Sequence, residues 1–142
     1  MIRKFQECDI EEILDIWLTV SLIAHDFIDS SYWVSEINNM TNVYIPNSET
    51  YVYENQHGIC GFFSLSLNEN RLAAIFVKPD NQGKGIGTKL LKKAKELRKN
   101  LRLAVYKENS KSILFYKKAG FRFVKEQKDK NTGCPELIMQ WP

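Results

Sequence analysis

The sequence predicts an α/β fold: a mixed, mostly antiparallel sheet with helices on both faces. Three observations carry this expectation. Apolar residues recur at helical spacing in the first third of the chain, then at a period of two after Pro46. A glycine-rich stretch, Pro79–Thr88, stands between an apolar run of strand length and an amphipathic helical pattern. The elements then alternate as β-α-α-β-β-β-α-β-α-β-β, an order that needs a sheet with cover on each side. With 142 residues, the chain is expected to form one domain, residues 1–142, able to bury a core without metals or disulfides.

Ile2-Arg3-Lys4-Phe5 reads as a short first strand. Asp9, with Glu12 three residues on, reads as the N-cap of a helix from Ile10 to Ile23, in which Ile10, Ile13, Leu14, Trp17 and Val20 share a face. A second helix starts near Ser30 or Ser31 and carries Tyr32, Trp33, Ile37 and Met40. Three antiparallel strands follow, Thr50–Glu54, Ile59–Leu67 and Leu72–Val77, with Gly61 marking a bulge. Ile86, Leu90, Ala94 and Leu97 line one face of the helix after the glycines, and lysines fill the other.

Leu101–Tyr106 is the next strand, reached through a helix and so expected to run parallel to Leu72–Val77. Asn109 or Ser110 caps a helix through Ile113, Leu114, Tyr116 and Lys117, and Gly120 occupies the left-handed position past its end. Phe121–Val124 and Leu137–Trp141 close the sheet as a hairpin.

Composition narrows the function. A net charge of +3 is too small for general nucleic-acid binding. The crowded lysines and arginines of residues 84–102 read as a solvated helix face. Cys8, Cys60 and Cys134 lack CxxC spacing, so neither a disulfide framework nor a metal site is expected. There is no apolar leader-like segment or long apolar span, which points to a cytoplasmic protein without membrane contact.

The glycine-rich stretch carries the chemistry. A strand, a glycine turn and a helix start together present unpaired backbone N–H groups at the positive end of a helix dipole, which suits a phosphate. A P-loop is excluded, since Lys78 rather than glycine stands five residues before Gly83. The dinucleotide fingerprint fails at Thr88, where its third glycine belongs. Gln82-x-x-Gly85-x-Gly87 instead resembles the acetyl-CoA pyrophosphate loop of the GNAT superfamily of N-acetyltransferases. A second stretch, from Asn109 through Ser112 and Tyr116 to Gly120-Phe121, resembles the later motif of the same family. The resemblance spans the whole chain, and several segments look like small bacterial members of the YiaC/YjaB type, read as protein-lysine acetyltransferases.

That resemblance implies a GNAT-type sheet with a splayed central strand pair and acetyl-CoA as co-substrate, without a metal. Backbone groups at Phe76 and Val77 would pair with the pantetheine arm. Gln82, Gly83, Lys84, Gly85, Ile86, Gly87 and Thr88 would hold the pyrophosphate. Asn109 would hydrogen-bond the cofactor near its acyl end, and Tyr116 would protonate the departing thiolate. Tyrosine retains its proton at neutral pH, which suits that role on chemical grounds too.

Leu72–Val77 holds no acidic residue, so the group that deprotonates the amine is unassigned; His25 is a candidate, with Glu108 and Asp26 behind it. Trp17, His25, Phe27, Tyr32 and Trp33 suggest an aromatic acceptor pocket, and core packing accounts for most of them equally well. The leading function is acetyl transfer from acetyl-CoA to a primary amine, a protein lysine first. The alternatives are a non-catalytic acetyl-CoA sensor or transfer to a small amine or aminoacyl-tRNA. A monomer or weak homodimer is expected.

Overall fold

The computed structural model describes residues 1–142. In chain order the strands are β1 Ile2–Lys4, β2 Ser48–Asn55, β3 Gly58–Ser66, β4 Leu72–Val77, β5 Leu101–Tyr106, β6 Arg122–Lys128 and β7 Pro135–Trp141. The helices are α1 Ile10–Ala24, α2 Ser30–Ser35, α3 Ile37–Asn39, α4 Ile86–Leu97 and α5 Ser110–Lys118. No helix is long and apolar enough to cross a membrane.

The strands form two antiparallel sheets, one in the order β1-β2-β3-β4 and one in the order β5-β7-β6. They meet at a single parallel bridge, Arg71 to Arg102, supported by the Arg102 N–H donating to the Asn70 carbonyl at 2.9 Å. The expected parallel pairing of β4 with β5 is therefore confined to one bridge at the residue before β4, and the two strands part beyond it. Each sheet twists about its own axis, and without further ladder bonds the strands diverge into an open wedge.

The core lies on both faces of β3. Successive strand side chains point to opposite faces, so the adjacent Phe62 and Phe63, both 0% exposed, enter different clusters. Phe62 joins Val52 and Ile59 under Ile13, Ile16, Trp17 and Val20 of α1. Phe63 joins Leu65 and Tyr51 under Ile86, Leu90, Leu91 and Ala94 of α4, with Leu101, Leu103 and Met139 of the second sheet. Fully burying one such side chain is worth about 1.5–3 kcal/mol. The bulge expected at Gly61 lies next to it: Tyr53 pairs with Gly61 and Glu54 with Ile59, so Cys60 is the extra residue.

Three local expectations are corrected. Asp9 does not cap α1 with its side chain. A short 3-10 turn, Glu7–Asp9, precedes the helix, and the Asp9 carboxylate accepts from the Gln6 N–H at 2.8 Å and from Arg3 at 2.8 and 2.9 Å. Glu12 reaches across to accept the Ile59 N–H at 3.1 Å. The second helix is broken into α2, the single turn α3 and a π-helical turn Met40–Tyr44. The side chains of Thr41, Asn47 and Ser48 donate to the carbonyls of Ile37, Val43 and Tyr44 around that wide turn. The lysine face of α4 is only partly solvated. Lys89 and Lys93 lie over the rings of Tyr53 and Tyr51, and Lys95 donates to the Ala119 carbonyl under the Trp141 ring.

Candidate functional site

β4 feeds a 3-10 turn, Pro79–Asn81, and then the glycine loop. Gly83 and Gly85 have φ of +77° and +83°, a region in which a Cβ is strained. A Cβ at either would meet nothing within 4 Å, so backbone conformation rather than crowding selects glycine there. Gly85 is the N-cap of α4 and brings no side-chain cap. The first helical bond runs from the Lys89 N–H to the Gly85 carbonyl. The N–H groups of Gly83, Lys84, Gly85, Ile86, Gly87 and Thr88 consequently donate to no backbone acceptor. Unpaired donors at the positive end of a 12-residue helix, with open space at Gly83 and Gly85, fit a diphosphate.

The Gln82 side chain braces this loop. Its Nε2 donates to the Val77 carbonyl at 3.0 Å, and its Oε1 accepts from Lys111 of α5 at 3.2 Å. The carbonyl of Val77, expected to face a pantetheine arm, is thus held by Gln82. Gly87 packs near the Phe115 ring of α5, 3.5 Å from where its Cβ would stand.

The wedge between β4 and β5 opens into a cavity of about 570 Å³. Phe76, Asn109, Ser112 and Tyr116 line it together, with Leu103–Tyr106 of β5. Val77 and Gln82–Thr88 lie outside that lining, at the adjoining end of β4. Asn109 is the N-cap of α5: its Oδ1 accepts the Ser112 N–H at 3.3 Å, and its Nδ2 stands 3.4 Å from His25 Nε2. Tyr116 is half-buried between Phe115 and Phe121, at ring distances of 5.4 and 5.7 Å. Burial holds its phenol well above the ordinary value, so it stays protonated.

His25 lies at the C-terminal end of α1 against Tyr106 and Trp33, with ring centroids 5.0 and 5.2 Å away. Burial pushes its pKa down to about 4. A neutral ring leaves Nε2 free to accept from Asn109, which fits a positioning group better than a general base at neutral pH. Trp17, Tyr32 and Trp33 line the cavity as expected, whereas Phe27 packs on His25 and Tyr106 behind it. Asp26 and Glu108 are exposed and do not reach the cavity.

Glu36, Tyr44 and Arg71 also line the cavity, and no sequence pattern singled them out. Glu36 follows α2, Tyr44 ends the π turn, and Arg71 sits at the bridge between the sheets. Glu36 and Tyr44 belong to the broken second helix, and Arg71 comes to the cavity from the bridge.

Residues 46–123 match the family described as an acetyltransferase (GNAT) domain. The peptidyl-lysine N-acetyltransferase YiaC of Escherichia coli is 35% identical over 100% of this chain and 97% of its own. The solution structure of apo YjaB from Escherichia coli superposes with a TM-score of 0.86 at 26% identity, covering 99% of this chain and 96% of that one. PaiA N-acetyltransferase from Thermoplasma acidophilum, solved with coenzyme A, shares the fold with a TM-score of 0.83 at 23% identity, over 99% of this chain and 97% of that one. A wedge between two sheets, a loop of unpaired amides at its end and a protonated tyrosine on its wall accord with these likenesses: the chain belongs to the GNAT acetyltransferase family.

Proposed function

We propose that this protein transfers the acetyl group of acetyl-CoA to the side-chain amine of a protein lysine, by direct attack with both substrates bound. The observation that carries the reading is one cavity, walled by β4 and β5, whose lining includes both Asn109 and Tyr116, with the glycine loop following the end of β4. YiaC and YjaB, named as peptidyl-lysine acetyltransferases, support the choice of acceptor.

Acetyl-CoA supplies the thioester. The free N–H groups of Gly83–Thr88, with Gln82 and Lys84 beside them, hold its diphosphate. Backbone at Phe76 and Val77 lines the path of the arm, Gln82 releasing the Val77 carbonyl where the arm needs it. Asn109, oriented by Ser112 and His25, presents its amide near the acyl group. The acceptor first loses one ammonium proton to water, so that a neutral amine nitrogen bonds to the carbonyl carbon. As the C–S bond breaks, Tyr116 gives its proton to the sulfur, and the second proton on nitrogen, released as the amide forms, restores the Tyr116 phenol through water. The protein works in the cytoplasm as a monomer or weak homodimer on this reading.

Free-thiol release from acetyl-CoA in the presence of lysine peptides tests it. Tyr116→Phe should lower kcat by about 10²-fold or more, the usual size of a general-acid effect, while CoA binding by calorimetry stays intact. Wild-type protein that binds CoA yet releases no thiol with any amine would indicate a sensor instead. Equal rates for wild type and Tyr116→Phe would remove the acid role.

A further inference from the structure

We infer that Glu36, framed by Tyr32 and Tyr44, recognises the acceptor's ammonium group and makes the enzyme selective for cationic amines. This rests on the acetyl-transfer reading above and names the specificity residue of that same site.

Glu36 is the one carboxylate that lines the cavity. The other charged side chain there, Arg71, is exposed at the bridge between the sheets, and His25 is neutral. The walls are otherwise largely aromatic and aliphatic, with Trp33 and Tyr32 stacked edge-on at 4.9 Å. Glu36 is half-buried and has no cationic partner within the protein.

Its orientation is set in advance. Oε2 accepts from Asn39 Nδ2 at 3.0 Å and from the Tyr44 hydroxyl at 3.4 Å. Oε1 accepts no hydrogen bond from the protein. Tyr44, the last residue of the π turn, reaches back eight residues to Glu36, and such turns frequently mark functional positions. The field of the carboxylate is felt by both phenols: burial first, then Glu36, with Asp129 adding to both, raises Tyr44 above its ordinary value and Tyr32 to about 12.

An anion held by two donors, with one oxygen free in a cavity lined by Tyr32, Trp33 and Tyr44, is the complement of an alkylammonium ion. The charge pair is strengthened by partial desolvation. A carboxylate in this place would repel an anionic acceptor, which supplies discrimination as well as affinity. A protein lysine and a free diamine share the ammonium chemistry, so the test carries both.

Glu36→Gln keeps an oxygen for Asn39 and Tyr44 and removes only the charge. The expected result is a rise of about tenfold in KM for a lysine peptide, with kcat changed less than about twofold and KM for acetyl-CoA unmoved. Added salt should raise the peptide KM of the wild type more than that of the variant. The effect should shrink for trifluoroethylamine, which is largely neutral at pH 7. Whichever of the lysine peptide and 1,5-diaminopentane shows the larger KM rise on Glu36→Gln identifies the source of the ammonium, protein or free diamine. Tyr44→Phe, which loosens the carboxylate without removing it, should give a smaller rise and covers the case in which Glu36→Gln misfolds.

An unchanged peptide KM in Glu36→Gln overturns the inference while leaving acetyl transfer standing. If the wild type releases no thiol, calorimetry of 1,5-diaminopentane with the CoA-bound protein decides separately: binding weakened by Glu36→Gln supports the site, and no binding overturns it.

Discussion

Burial decides what His25 does. A histidine at a helix end, next to the acceptor side of a cavity, has the chemistry of a general base as long as it titrates near its ordinary value. Enclosed by Trp33, Tyr106 and Phe27, it is pushed to about 4 and stays neutral over the physiological range. The sign of the linkage follows. Between about 4 and 6.5 the unfolded chain takes up a proton that the folded chain does not, so this group lowers folding stability as pH falls through that window. The full loss is on the order of 2–3 kcal/mol, and urea titrations of wild type and His25→Asn from pH 7 to pH 4 would read it as a shallower pH dependence in the variant. Activity should show the opposite insensitivity. kcat/KM for a lysine peptide should climb with pH toward the amine's own pKa near 10.4, with no break at 6–7. A limb near 6.5 that disappears in His25→Asn would restore His25 as a base.

At the level of elements, the glycine loop shows how a local backbone state creates a binding surface. Gly83 and Gly85 turn the chain through left-handed conformations so that α4 begins with its donors facing out. Gly85→Ala places a Cβ in open space, so its cost is conformational, roughly 1–2 kcal/mol. A lowered Tm together with weaker CoA binding is expected. Gly133, at φ +74° in the turn between β6 and β7, is the matched control. Gly133→Ala should lower Tm by a similar amount and leave CoA affinity untouched, and equal affinity losses in the two variants would show that the loop geometry is not what binds. The Arg3–Asp9–Glu54 group is a second element-scale device, tying β1 and the turn before α1 to the end of β2.

Across the whole molecule, two sheets that share one bridge are free to be two folding units unless something else couples them. The coupling is the cluster in which Phe63 and Leu65 of the first sheet meet Leu101, Leu103 and Met139 of the second beneath α4. β3 carries the other cluster on its opposite face through Phe62. A single cooperative unit is therefore expected, with calorimetric and van't Hoff enthalpies equal. Phe62→Ala and Phe63→Ala should each cost about 3–5 kcal/mol and shift the same transition. Two resolved transitions, each answering to one of the two substitutions, would divide the chain instead.

Much of this molecule is written locally. β4, α4 and β5 lie where apolar period and length put them, because those signals come from adjacent residues and need no distant partner. The same holds for the glycine loop and the Asn109 cap, whose geometry follows from φ freedom and a side-chain oxygen three residues from its donor. The sequence by itself therefore determined the order of elements, the row of free amides and the place of Tyr116 on its helix. Only the tertiary structure decided the rest. Asp9 pairs with Arg3 instead of capping α1, Val77 gives its carbonyl to Gln82, and the break in the second helix swings Tyr44 onto Glu36. The partners lie only five to eight residues apart, but each meeting depends on a turn or a broken helix whose path is set by the packing around it, which no local pattern encodes.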